Sequence, residues 1–367
     1  MKPLLFVTGH APAYRVGALA RLHEREGIEL ALFGGRYKHG GAGFERQMPF
    51  PHRHVRPREL LALASSGDYR AVVCPTGGRL APLATWAGAR RAGVPLILWA
   101  SLWAHPRSAA HALSYLALRR LYRSADAVVT YGPHVNAYVG ARGAGNVFVA
   151  AQSVDNEFWG APAIAAPSAP DWPAGADTRF LFVGRNAREK GLAVLIEAWR
   201  LAELPVAANA LVLVGTGSGT SGFAPARLRR EGDAGIVSLD AVEPQQLRDV
   251  YAACDVLVVP SIPTRTFREP WGLVVNEAMN RGLAVIASDA VGAAAGGLVR
   301  DGANGLVVAA GDSGALAGAI RRLASDARMR AALGRQAAQD VRAYSHDAWA
   351  RGFGEALTSL GLSRGRW

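Results

Sequence analysis

The chain has 367 residues, half of them hydrophobic, and a formal net charge of +12. That length fits two domains with cores of their own rather than one. Its apolar runs are short and broken by Gly, Pro or Arg, which excludes a membrane-spanning helix.

The charge is uneven. Residues 1–160 hold 19 Lys/Arg against 9 Asp/Glu, a balance of +10, and the remainder holds 22 against 20, a balance of +2. The first half is therefore expected to meet an anionic partner. Two cysteines, Cys74 in AVVCP and Cys254 in AACDVLVVP, lie in apolar runs in different halves. They read as buried thiols of a cytosolic protein rather than a disulfide. No Cys/His cluster has zinc-ligand spacing.

In chain order, MKPLLFVTGH comes first. Its apolar run is too short for a signal peptide, and it predicts a buried strand from Leu4 to Thr8. ELALFG, AVVCP, PLILWA, DAVVTYG and NVFVAAQ follow as strands, with helical segments such as VGALARLHEREG and LATWAGARRAG between them. Continuous apolar strands alternating with helices predict a parallel sheet covered on both faces. The aperiodic, Pro- and Ala-rich segment 161–177 reads as a linker. The rhythm then restarts with RFLFVG, ALVLVGTG, GIVSLD, VLVVPS, AVIAS and GLVV as strands, and closes on helices. The last, SHDAWARGFGEALTSL, begins with a Ser cap and is amphipathic. The predicted fold is α/β, with two Rossmann-like domains at 1–160 and 178–345 and a terminal segment at 346–367.

FVGRNAREKG (182–191) follows a strand. Gly184 lets the backbone turn close to a ligand, and Arg185 and Lys190 set two positive charges at the strand's carboxyl edge. Those charges match a nucleotide diphosphate without a metal. REPWGLVVNEAMNRG, further on, holds Glu269 and Glu277 eight residues apart, which puts them about 80° apart if both were on one helix. Trp271–Gly272 reads as a turn and Leu273 as the helix start. The amides of Gly272, Leu273 and Val274 then form an anion site at the helix N-terminus. A carboxylate accepts from two adjacent hydroxyls, so Glu277 suits the vicinal diol of a ribose. Glu269 reaches hydroxyls on the far side of the diphosphate. The two read as grips on one extended ligand rather than an acid/base pair. TGSGT (216–220) reads as a flexible strand exit rather than a second phosphate cradle.

FVGRNAREKG, EPWGLVVNEAMNRGLAVIAS and VRDGANGLVV together resemble the donor half of retaining glycosyltransferases of family 4, glycosyl transferases group 1, which have the GT-B fold. The resemblance covers 179–310 and extends to VDNEFW (154–159). It implies two Rossmann-like domains facing a cleft, the first binding the acceptor and the second the nucleotide sugar, with 346–367 crossing back to the first. It implies that Arg185 and Lys190 hold the diphosphate, Glu277 the ribose and Glu269 the transferred sugar. Pro270, Trp271, Gly272, Leu273 and Val274 would line the phosphate pocket, and Val242 or Glu243 would lie near the base. It also implies that Gly9 nears the diphosphate, that His10 and Arg15 point toward the cleft, and that His105 faces the transferred sugar as a catalytic residue beside Glu269, Arg185 and Lys190. The sequence departs from the family at GAAAGG, where Gly297 stands in place of a frequent Glu, and at Gly9–His10, where Gly-Gly is common.

The activity so implied is transfer of a hexose-type sugar, with retention, from a UDP- or GDP-sugar to an acceptor. The acceptor would be anionic or lipid-linked, such as a cell-envelope glycan or polysaccharide precursor. No cofactor or metal is expected, and the chain has no D-x-D. An epimerase or phosphorylase of the same fold, a transferase acting on a soluble small molecule or natural product, and a non-catalytic sugar-nucleotide binder are the alternatives. In RSAAHALSYLALRRLYRS, Arg107, His111, Tyr115, Arg119 and Arg123 recur every four residues. They suggest a basic–aromatic stripe toward an anionic acceptor or membrane. Nucleic acid ranks lower for lack of a motif. The expected location is cytoplasmic, with peripheral contact on the inner face of the membrane.

Overall fold

The computed structural model describes residues 1–367 except 35–47, 79, 166, 168–171, 218–234 and 366. It divides into two compact units, Met1–Asp155 with Tyr344–Trp367, and Asn156–Ala343.

The first unit runs β1 (Leu4–Thr8), α1 (Ala13–Glu26), β2 (Ile28–Leu32), β3 (His52–His54), α2 (Leu60–Ala64), β4 (Ala71–Pro75), α3 (Ala81–Ala92), β5 (Leu96–Ala100), α4 (Ala109–Ser124), β6 (Ala127–Thr130), α5 (Pro133–Gly140) and β7 (Val147–Val149). The second runs α6 (Asn156–Gly160), β8 (Thr178–Val183), α7 (Leu192–Ala202), β9 (Asn209–Val214), β10 (Ile236–Leu239), α8 (Pro244–Ala252), β11 (Val256–Val259), α9 (Val274–Asn280), β12 (Ala284–Ser288), α10 (Gly292–Ala295), β13 (Gly305–Val308), α11 (Ser313–Ser325) and α12 (Ala327–Asp340). The chain then returns to the first unit with α13 (His346–Ser359).

Each unit holds one parallel sheet. The orders are β3-β2-β1-β4-β5-β6-β7 and β10-β9-β8-β11-β12-β13. The strands expected from the sequence all form. Leu4–Val7 and Leu96–Ala100 are buried along their length, as strands covered on both faces must be. β3 was not legible: His52-Arg53-His54 is exposed and charged, and forms only because it pairs with Leu30–Leu32 at the sheet edge.

In the first unit, Phe6 and Trp99 of the sheet pack against Trp349 and Phe353 of α13, with ring centroids 5.5–6.2 Å apart. Ser345 caps α13 by accepting from the Ala348 amide at 3.1 Å. Gly352 is required by close approach, because a Cβ there would lie 2.2 Å from the Val149 carbonyl oxygen. The fully buried Glu26 ties the C-terminal segment down. It accepts from Arg70 at 2.6 Å, Ser363 at 2.7 Å, the Arg364 amide at 3.0 Å and the Trp367 indole at 2.6 Å. Phe180, Leu211, Ile286 and Ile320 anchor a core of the second unit. Cys74 and Cys254 are free, buried thiols, and burial pushes the Cys74 thiol up to about 12.

The chain passes between units at Asp155–Asn156, ahead of the expected linker at 161–177. The physical reason is local packing. Asn280 donates to Asn156 at 2.9 Å, Trp159 stacks edge-on against Tyr251 at 5.7 Å, and Arg281 donates to the Gly160 carbonyl at 3.1 Å. Residues 166 and 168–171 of that segment, 35–47 of the 34–53 loop and 218–220 of TGSGT lie outside the described residues.

Candidate active site

In the second sheet the strand order reverses beside β8, with β9 on one side and β11 on the other. Ligands of open α/β sheets bind beyond the carboxyl ends of the strands at such a point. The chain leaves β8 through Gly184 and Arg185 into a short 3-10 turn, Arg188–Lys190. Gly191 ends that turn in the left-handed region at φ 70°, and a Cβ there would lie 1.9 Å from the Pro260 carbonyl oxygen. Gly191 thus lets the segment after β8 press against the segment after β11. The Ile262 amide donates to the Glu189 carbonyl at 2.9 Å across the same contact.

That contact brings Lys190 Nζ to 2.5 Å from Glu269 Oε2. The Ser261 hydroxyl donates to the same oxygen at 3.4 Å, and the Ser288 hydroxyl at the end of β12 donates to the Ser261 carbonyl. Glu269 and Ser261 are buried. The residues of three adjacent strand ends therefore form one polar cluster. Its lysine and glutamate are the pair that the sequence assigned to different parts of a ligand.

The EPWG turn is built as expected in its backbone and differently in one side chain. Gly272 sits at φ 92°, which only glycine adopts without strain. α9 begins at Val274, while Leu273 already has helical angles, φ −57° and ψ −28°. Among the described residues, no acceptor meets the amides of Gly272 and Leu273. Trp271, expected to line the phosphate pocket, is instead core: its indole is buried and donates to Asn276 at 2.8 Å. The turn lies close against Gly292 of the neighbouring α10. The Gly292 amide donates to the Glu269 carbonyl at 3.1 Å and the Ala293 amide to the Trp271 carbonyl at 2.7 Å, and a Cβ on Gly292 would lie 2.0 Å from the Pro270 oxygen. The VGAAA segment is the backbone clamp of the turn.

Glu277 stands on α9 and accepts from the Tyr251 hydroxyl at 2.8 Å. Burial pushes its carboxyl up to about 7, and the Tyr251 bond pulls it partly back. Tyr251 is fully buried, and burial with the nearby Glu277 raises its phenol well above the ordinary value. Tyr251 was not among the residues the sequence singled out for the site. Arg185 is exposed and stands 3.7 Å from Glu189. Gly184 has ordinary space around it, since a Cβ would come no nearer than 3.4 Å to Phe182. Val242 lies partly buried in the loop before α8, and Glu243 beside it caps that helix with Gln246.

Several expectations for the first unit are corrected. Arg15, expected to point toward the cleft, is held in the core: its guanidinium is buried, donates to Gln152 at 2.6 Å and lies 4.4 Å from the Trp99 ring centroid. Burial opposes its charge, and the phenols of Tyr131 and Tyr14 offset this, so that its pKa is raised. His105 has both ring nitrogens engaged, Nδ1 with the Tyr138 hydroxyl at 3.1 Å and Nε2 with the His111 carbonyl at 2.9 Å, and its ring packs on Tyr115 at 5.1 Å. At Gly9, the glycine expected near the diphosphate, a Cβ would sit 3.7 Å from Phe33, and His10 beside it is exposed. Arg107, Tyr115, Arg119 and Arg123 do not share one face. Arg107 precedes α4, and within the helix three steps of four residues at 100° each leave Arg123 about 120° around from His111. Tyr115 turns inward to His105 and Arg142, while Arg107 and Arg123 are exposed.

Residues 177–326 match the family model described as Glycosyl transferases group 1. The chain is 35% identical over 191 residues to a D-inositol 3-phosphate glycosyltransferase of Corynebacterium jeikeium, which is 49% of this chain and 42% of that one. It is 38% identical over 181 residues to that of Acidothermus cellulolyticus, 46% of this chain and 38% of the other. The matches thus span about two fifths of the length of these curated relatives. Among solved structures, Anabaena Alr3699/HepE in complex with UDP and glucose superposes with a TM-score of 0.73 at 20% identity, covering 98% of this chain and 100% of that one. Sucrose-phosphate synthase from Thermosynechococcus elongatus gives 0.74 at 22%, covering 98% and 99%. These two likenesses show the fold: two Rossmann-like units, as in GT-B structures.

Proposed function

We propose that this chain, whose residues 177–326 belong to glycosyl transferases group 1, is a glycosyltransferase that uses a nucleoside-diphosphate sugar. The reading is of a retaining enzyme that needs no metal and moves a hexose-type sugar from a UDP- or GDP-sugar. The observation that carries it is the cluster at the strand-order reversal, where Lys190, Glu269 and Ser261 meet beside the Gly272 turn. A structural relative is described in complex with UDP and glucose, which supports a donor of that class.

In this reading the diphosphate takes Lys190 from Glu269 on binding. Arg185 and the amides of Gly272 and Leu273 complete the anion site. Glu269, released, accepts from hydroxyls of the sugar, and the carboxylate form of Glu277 accepts from the ribose diol. The leaving group is a diphosphate, so the protein's main task is to stabilise the charge growing on it through fixed cations and amides. The first unit would hold the acceptor, of lipid-linked or cell-envelope glycan type.

A thermal-shift panel of UDP- and GDP-sugars tests the reading, because a ligand bound only by the native state raises its stability. One sugar nucleotide is expected to raise the melting temperature, and Glu277→Ala is expected to abolish the rise. No shift with any nucleotide or nucleotide sugar would sink it. The anomeric configuration of the product separates retention from inversion.

A further inference from the structure

From Tyr69 to Ala125 the chain holds eight arginines and no Asp or Glu. Two helices of that span, α3 and α4, present their arginines along a surface groove of about 660 Å³. Trp86 and Arg90 of α3 line one wall, and Leu116, Arg119, Arg120 and Arg123 of α4 line the other. The α4 residues are spaced i, i+3, i+4, i+7, which is one true helical face. The Arg120 guanidinium lies 5.5 Å from the Trp86 ring centroid, and Arg90 donates to the Ser124 carbonyl at 2.9 Å. Among the described residues no carboxylate pairs with Arg90, Arg119, Arg120 or Arg123.

Arginines near a helix C-terminus are favoured by the helix dipole alone. That accounts for one or two of them, but not for what stands beside them. Leu116, in the wall of the groove, is 70% exposed. An exposed leucine among arginines that have no carboxylate partner adds nothing to phosphate contacts alone. A bilayer interface takes both, with leucines in the acyl boundary and guanidiniums at the phosphates. Among the described residues no helix is long and apolar enough to cross a membrane, so the contact is with the surface of the bilayer.

We propose that the α3–α4 groove docks the protein on an anionic lipid bilayer. The proposal stands apart from the glycosyl-transfer reading, since its readout needs neither donor nor acceptor.

The test is co-sedimentation of the full chain with vesicles of phosphatidylcholine alone and with 30% phosphatidylglycerol. Binding is expected to the mixed vesicles only, and to weaken as salt rises. Each arginine near an anionic surface adds a similar increment, so Arg119→Ala/Arg120→Ala/Arg123→Ala is expected to weaken binding on the order of a hundredfold. Leu116→Ser is expected to weaken it several-fold while leaving the lipid preference. Circular dichroism and the melting temperature of both variants report that the fold is intact. No binding to mixed vesicles, equal binding by the triple variant, indifference to Leu116→Ser, or displacement from vesicles by a single-stranded oligonucleotide would each overturn the proposal.

Discussion

Lys190 and Glu269 lie 79 residues apart in the chain and meet in an ion pair of 2.5 Å, the lysine partly exposed and the glutamate buried. The pair joins the segment after β8 to the segment after β11. Without a ligand, each charge is the other's partner, so both have a structural role and an expected ligand-binding role.

A double-mutant cycle separates those roles. Lys190→Ala leaves Glu269 without its cation, and a loss of about 1–3 kcal/mol is expected in urea unfolding. Lys190→Ala/Glu269→Ala removes both charges, and most of that stability is expected to return. Sugar transfer should stay absent in both variants. Recovery of transfer along with stability would show that Lys190 serves the fold alone.

Glu277 gives a pH-dependent signature. Its folded carboxyl is raised to about 7, above the unfolded value of about 4.3. Between those values the native state holds a proton that the unfolded chain has released, so stability falls as pH rises through this window. Glu277→Gln removes the titration. The variant is expected to match the wild type near pH 4, to be the more stable of the two above pH 7, and to lose nucleotide-sugar binding. Parallel stability curves for the two proteins across pH 4–8 would refute the assigned shift.

Gly292→Ala places a methyl where the Pro270 carbonyl oxygen lies 2.0 Å away. The EPWG turn must move. Overpacking of this kind costs about 1–3 kcal/mol, and kcat/KM should fall by a larger factor than the melting curve suggests. Unchanged kinetics would show that the clamp does not hold the site.

His105→Ala tests the corrected role of that histidine. Two hydrogen bonds are lost, at about 1 kcal/mol each, and the melting temperature should fall. The turnover of the folded fraction should stay close to wild type. A drop in kcat of about a hundredfold with stability intact is what loss of a general acid or base produces, and would reverse the correction.

The sequence made the two sheets legible because parallel strands buried on both faces read as unbroken apolar runs. It hid β3, since His52-Arg53-His54 has no such run and owes its form to a neighbour. The EPWG turn was legible because Gly272 must occupy the left-handed region. Its clamp was not, because Gly292 acts through a close approach that leaves no side-chain signal. The Lys190–Glu269 and Tyr251–Glu277 pairings depend on which strand ends adjoin, and strand order is not written in local periodicity. Arg15 was expected to point toward the cleft, whereas Gln152 and Trp99 come to it from distant parts of the chain and hold it in the core. The four-residue stripe on α4 failed for a geometric reason, since four residues overshoot a turn of 3.6.

α13 belongs to the unit that the chain began, although a whole second unit lies between. The consequence concerns birth rather than activity. On the ribosome, the face formed by Phe6 and Trp99 waits uncovered while all of Asn156–Ala343 is made. The second unit has every strand it needs before Trp349 and Phe353 emerge. The protein therefore matures in reverse, with its middle able to close first and its amino-terminal unit sealed last, when Ser363, Arg364 and Trp367 reach Glu26.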